Sequence, residues 1–127
     1  MPLIYRRIVF RQELRDAPFT LFVFGDNLER RGLGGQAAEM RGEPNAVGVP
    51  TKHRPSRQAD AYFADADFAL TKPHIDKAMM RLAGHLRAGG TVVWPKAGIG
   101  TGRADLERRA PRIWRYIERC RRALERL

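Results

Sequence analysis

Twice in this chain a short apolar run breaks off at a cluster of glycines, and that repetition limits the possible folds more than any other feature. Leu21-Phe22-Val23-Phe24 stops at Gly25-Asp26-Asn27, and Thr91-Val92-Val93-Trp94 runs into Pro95-Lys96-Ala97-Gly98-Ile99-Gly100-Thr101-Gly102. A short apolar run bounded by turn residues is the pattern of a strand covered on both faces. After the first run, Gly32, Gly34 and Gly35 lead into Gln36-Ala37-Ala38-Glu39-Met40-Arg41, which predicts a short helix closed by Gly42. Strand, glycine loop and helix start follow one another, which is the order found in α/β layered folds.

The remaining elements fit between these landmarks. Ile4 to Phe10 and Thr20 to Phe24 predict strands, and Ala46 to Val49 a strand ended by Pro50. Thr51 to Asp60 reads as a polar surface loop, whereas Tyr62 to Leu70 fits neither period. A long helix is expected from a capping hydroxyl near Thr71, with Pro73 in its first turn. Ile75, Met79, Leu82 and Leu86 form its buried stripe as far as Gly89-Gly90. The last helix starts at or before Pro111, with Ile113, Ile117, Cys120, Leu124 and Leu127 on one face. That spacing makes Cys120 a core filler rather than a nucleophile.

At 127 residues the chain has the length of one domain, residues 1–127, with one core. A single cysteine rules out an internal disulfide and a cysteine metal framework. His53, His74 and His85 are scattered and read as exposed, so no metal and no cofactor is expected. No stretch approaches the ~20 apolar residues of a membrane span. The start, Met1-Pro2-Leu3-Ile4-Tyr5-Arg6-Arg7, carries no signal-like apolar run. The expectation is a soluble cytoplasmic protein with no membrane partner.

The two glycine loops carry the functional reading. Glycines allow close backbone approach, and the unpaired amides at a helix start face whatever sits above them, which makes an anion cradle. The first cradle is built on Gly25, Gly32, Gly34, Gly35 and Gln36. The second is built on Gly98, Ile99, Gly100, Thr101 and Gly102, where Thr101 adds a hydroxyl and Lys96 a charge. Thr51 and Lys52, at the end of the intervening strand, point to the same edge of the sheet, Lys52 either as a phosphate contact or as an ordinary exposed lysine. Neither loop spells a P-loop or a G-x-G-x-x-G fingerprint. The ligand expected is a phosphate-bearing nucleotide.

The net charge of +10 opens a different reading. Residues 103 to 127 hold nine arginines against Asp105, Glu107, Glu118 and Glu125. This is either a solvated helical face or the contact surface of a basic RNA- or DNA-binding module, with Arg108, Arg109, Arg112 and Arg115 as the contacts.

The order of elements resembles a macro domain, the ADP-ribose-binding fold, over roughly residues 20 to 127. Gly25-Asp26-Asn27 followed by Gly32-Leu33-Gly34-Gly35-Gln36-Ala37 is similar to the family's strand ending in asparagine and its glycine-rich helix start. Pro95 to Gly102 resembles its Pro-x-Ile-Gly-x-Gly diphosphate loop. The chain also looks similar to compact macro-like proteins of bacteria and phages. The resemblance implies a three-layer α/β/α sandwich with a mixed, mostly parallel sheet. It implies Asn27 on the distal ribose, the amides of Gly34, Gly35 and Gln36 on that ribose and its phosphate, and Gly98 to Gly102 on the diphosphate. ADP-ribosylated protein or nucleic acid becomes a candidate partner, and ADP-ribosyl hydrolysis the candidate activity. In that activity Asp26 or Asp105 would be the general base, Asp105 having a helix cap as its alternative role. Two positions depart from the family: Arg11 and Gln12 follow Ile8-Val9-Phe10 where an adenine-contacting aspartate is usual, and Arg103 stands where many members carry an apolar or aromatic residue.

Overall fold

The computed structural model describes residues 3–127; Met1 and Pro2, part of the amino-terminal stretch weighed above, lie outside them. Its elements in chain order are β1 (Leu3–Arg6), α1 (Arg11–Asp16), β2 (Leu21–Asn27), α2 (Ala37–Met40) and β3 (Ala46–Lys52). After two 3-10 turns, Ala59–Ala61 and Asp65–Asp67, come α3 (Phe68–Arg87), β4 (Val92–Pro95), α4 (Leu106–Arg109) and α5 (Pro111–Glu125). The four strands form one sheet in the order β1-β4-β2-β3. Every pairing in it is parallel, and the antiparallel component expected of a mixed sheet amounts to a single bridge between Lys52 and Tyr62.

The apolar runs explain the layering. Side chains alternate faces along a strand, so Leu21 and Val23 of β2 join a core with α3 and α5, while Phe22 and Phe24 join one with α1 and α2. In β4, Val92 and Trp94 face the first core and Val93 the second. Helices therefore cover both faces, and the architecture is a three-layer α/β/α sandwich. α1 and α2 carry the chain from β1 to β2 to β3 on one face, and α3 brings it back to β4 on the other. Reversing direction and face together gives all three crossovers the same hand.

Several boundaries differ from the sequence expectation, each for a tertiary reason. β1 ends at Arg6 rather than Phe10, because an edge strand pairs on one side only: Ile8 and Phe10 remain exposed, and Val9 turns into the second core. β3 continues through Pro50 to Lys52. It is the other edge strand, where a residue without an N–H is tolerated, and the ladder slips its register between Asp26 and Asn27 beside it. α3 begins at Phe68, so Thr71 lies inside the helix with its hydroxyl donating to the Asp67 carbonyl at 2.7 Å, and Pro73 falls in the second turn. Leu127 is past the end of α5 and exposed, whereas Ile113, Ile117 and Leu124 are buried and Cys120 is half-buried against them.

Candidate functional site

In an all-parallel sheet every strand delivers its carboxyl end to one edge. β2 and β4 are neighbours there, yet β2 leads to α2 on one face and β4 to α4 and α5 on the other. Neighbouring exits that diverge in this way open a crevice at the carboxyl edge. The ladder between them is short, Leu21 with Val92 and Phe22 with Val93. Beyond it the second glycine loop folds back over the end of β2. A Cβ built on Gly25 would stand 4.0 Å from the Gly100 nitrogen and 3.9 Å from the Thr51 side chain. The two loops and the end of β3 thus meet at one place.

The first loop is held open by a buried carboxylate. Asp26 is 6 % exposed and accepts hydrogen bonds from the Asn27 N–H at 2.8 Å, from Arg41 at 2.5 Å and from Arg30 at 3.2 Å. Gly48 makes room for it, since a Cβ there would lie 2.5 Å from Asp26 Oδ2. The same Arg41 donates to the carbonyls of Gly32 and Arg31, which fixes the path of the loop. Asn27 Nδ2 donates to the Arg31 carbonyl at 2.7 Å, and its buried Oδ1 has no partner among the described residues. The Gln36 side chain is clamped on the main chain of Val9, leaving its own N–H for the loop. Among the described residues, none of the main-chain N–H groups from Arg31 to Gln36 donates a hydrogen bond.

The second loop is built the same way. The N–H groups of Ile99 to Ala104 have no acceptor among the described residues, and the loop closes through Leu106 N–H on the Gly100 carbonyl at 2.9 Å. Gly100 has φ +79°, and a Cβ on it would stand 2.7 Å from Leu106 Cδ2, so this position admits only glycine. Asp105 is the residue before α4 and has a left-handed backbone, φ 47°. Its carboxylate makes no capping bond and pairs instead with Arg108 at 2.5 Å and Arg109 at 3.7 Å. It borders a hollow of about 220 Å³ with Gly100 and Thr101.

Positive charge gathers where β3 ends. Lys52 Nζ lies 4.4 Å from the Tyr62 ring centroid and donates to the Ser56 carbonyl, and Arg109 Cζ lies 3.7 Å from the same ring. Burial first, and then the nearby Arg109, Arg103, Arg57 and Arg54, push the Lys52 ammonium below its ordinary pKa. Arg103 reaches from the second loop to the first, its Nη1 standing 3.2 Å from where a Cβ on Gly34 would be. Of these groups only Arg54 and Arg109 have a carboxylate within salt-bridge distance among the described residues.

The structure therefore brings Gly25, Asn27, Gly34, Thr51, Lys52 and Gly100 to one edge, but it gives several of them different tasks from those expected. Thr51 is buried, with its hydroxyl donating to the Asp26 carbonyl. Lys96 is exposed on the far side of the second loop, in a hollow of about 290 Å³ that it and Gly98 share with Trp114 and Arg121. Gly32 lies under Pro55. Two of the three histidines are not exposed: His53 faces Asp67 at 3.2 Å, and His85 buries an Nε2 that has no partner among the described residues. Among the described residues no group of three or more His, Cys, Asp or Glu is placed to hold a metal ion. No helix of the described residues is long and apolar enough to cross a membrane. Sequence reasoning missed Tyr62, and it placed neither Arg103 nor Arg109 at this edge: Arg109 reads from sequence only as a nucleic-acid contact, and Arg103 stands out of pattern just after the second loop.

Fold and site define the class: a parallel α/β protein with two amide-rich glycine loops joined at the carboxyl edge of neighbouring strands. Within that class the chain belongs to a family of unknown function, DUF7831, whose model matches residues 4–120. No curated protein and no solved structure matches it.

Proposed function

We propose that this protein is a macro-like module that binds ADP-ribose, or a related nucleotide carrying a diphosphate, across the junction of the two loops. The observation that carries this reading is the approach of Gly100 to Gly25, its nitrogen 4.0 Å from where a Cβ on Gly25 would stand, which brings the two runs of unpaired amides close together. Amide groups aimed outward at a concave edge favour negative charge. The uncompensated cluster of Lys52, Arg57 and Arg103 adds full charges beside them. Asn27 Oδ1 supplies the complementary feature, a buried acceptor without a donor among the described residues. Buried polar atoms are nearly always paired, and a ribose hydroxyl would pair this one.

A hydrolytic activity on ADP-ribosylated protein or nucleic acid is the catalytic extension of the same reading. In it Asp105, which borders the second loop and is 39 % exposed, would take the proton of the attacking water. Asp26 is less suited to that step, because it is buried, whereas the Asp105 carboxylate, paired with Arg108 and Arg109, remains open to solvent.

Titration calorimetry with ADP-ribose, adenosine and ribose 5-phosphate tests the binding. Gly102 is the position to alter, since nothing lies within 4 Å of a Cβ there and its φ is not left-handed. Gly102→Glu should keep the melting temperature and lower ADP-ribose affinity at least tenfold, because a carboxylate would face the phosphates. Absence of heat with ADP-ribose, or affinity undiminished in G102E, would sink the reading. Gly100→Glu is unsuitable as a probe, because it would displace Leu106.

A further inference from the structure

The nine arginines between 103 and 127 are not scattered over the last helices. Arg103 leans on the first loop, Arg108 and Arg109 pair with Asp105, and Arg121 pairs with Glu118 and Glu125. The other five are Arg112, Arg115, Arg119, Arg122 and Arg126, spaced three, four, three and four residues apart. With about 100° of turn per residue they fall within roughly 80° of one another, on the side of α5 opposite Ile113, Ile117 and Leu124. All five are exposed, and none has a carboxylate within salt-bridge distance among the described residues.

This segregation has a cause in the pairing. Arg121 engages both glutamates of α5, and the Tyr5 hydroxyl joins the same cluster, so the carboxylates of the helix are drawn to one flank. The outward stripe is left without ion pairs: Arg112, at its start, lies over the Phe68 ring at 4.1 Å, and Arg115, Arg119, Arg122 and Arg126 have no carboxylate within salt-bridge distance among the described residues. Five cations side by side repel one another, and a solvated helix would be more stable with acids interleaved at i+4. An uninterrupted row is favourable only against an anionic partner.

We infer that the outward face of α5 is a docking surface for the phosphate backbone of duplex nucleic acid. The five arginines rise in steps of about 4.5 and 6 Å and together span about 21 Å of helix axis. The two strands of a duplex together present a phosphate about every 1.7 Å of axis, so a helix of this length laid along a groove, with its arginines reaching the strands on either side, has enough of them for all five. Single strands are held by stacking on exposed aromatic rings, and none of the exposed large apolar side chains lies on α5. A lipid surface is the poorer fit, because the apolar side of α5 is already in the core and cannot enter an acyl layer. The earlier candidates Arg108 and Arg109 drop out of the contact, being paired with Asp105.

Fluorescence anisotropy of a labelled 20-base-pair duplex, titrated at several salt concentrations, tests this inference. Five phosphate contacts predict a slope of about −4.5 in log Kobs against log salt, or roughly 500-fold weaker binding at 200 mM than at 50 mM. The triple variant Arg115→Gln, Arg119→Gln, Arg122→Gln keeps good helix formers at exposed sites and should bring the slope to about −1.8, a loss of roughly 12-fold over the same range. Gly102→Glu should leave the slope at its original value, which separates this surface from the nucleotide site. An unchanged slope in the triple variant, tighter binding of single strands than of duplex, or binding to phosphatidylserine vesicles without binding to the duplex would each overturn the inference.

Discussion

Asp26 and Lys52 stand at the carboxyl ends of adjacent strands, and the chain treats their charges in opposite ways. Asp26 is surrounded by donors and admitted by the missing side chain of Gly48, so it works as a strut. Replacing it with Asn leaves Arg41, 20 % exposed, facing a neutral group. Asp26→Asn should therefore cost about 2 kcal/mol in chemical denaturation, below the full value for a buried pair because Arg30 reaches solvent. Lys52 is surrounded by other cations, which places a destabilising charge at the edge where a ligand would rest. Its pKa in the folded chain is below its unfolded value, so in the window between the two the unfolded state binds more protons. The contribution of this group to stability therefore rises with pH across that window and falls as pH drops through the folded value. Lys52→Met should raise the melting temperature while weakening ADP-ribose binding. In the unaltered protein, binding at a pH just below the ordinary lysine range should take up protons, because a phosphate restores the ammonium. Calorimetry in buffers of different ionisation enthalpy measures that uptake, and proton release would contradict it.

Among the elements, β2 and α5 were the most legible, and for related reasons. The run from Leu21 to Phe24 is apolar at every position because both of its faces meet helices, so burial and strand period gave one answer. In α5 the stripe of Ile113, Ile117 and Leu124 repeats at the helical period, and Pro111 marks its first residue. α3 was legible in its apolar stripe but not in its start. The turn Asp65–Asp67 and the first helical residues precede Thr71, so Pro73 lacks the N–H that would bond the Ala69 carbonyl. Pro73→Ala should restore that bond and remove the ring's clash with the preceding turn. The expected gain is about 2 kcal/mol, being the interior cost of proline less its effect on the unfolded chain, and is read from the denaturation midpoint. No gain would mean that the first turn of α3 is already distorted enough to accommodate the ring.

Across the whole molecule, the excess charge is concentrated at the carboxyl edge and along the outer side of α5, so like charges meet in both places. A net charge of +10 on 127 residues opposes the compact state. Raising sodium chloride from 20 to about 150 mM, where screening extends over ~8 Å, should therefore raise the melting temperature of the free protein. A fall would show that its ion pairs outweigh the repulsion. The same arrangement separates what local pattern determined from what packing decided. The sequence by itself determined the layered α/β class, the apolar runs and the two glycine loops, since these follow from burial and backbone conformation within a few consecutive residues. Only the tertiary structure decided that β4 lies beside β2, so that Gly100 covers Gly25, that β1 stops at Arg6 and that β3 passes through Pro50. It alone also brought Lys52, Tyr62, Arg103 and Arg109 together. Such neighbourhoods depend on strand order and crossover direction, which are set by how all the apolar faces are covered at once, and no short stretch of chain carries that information.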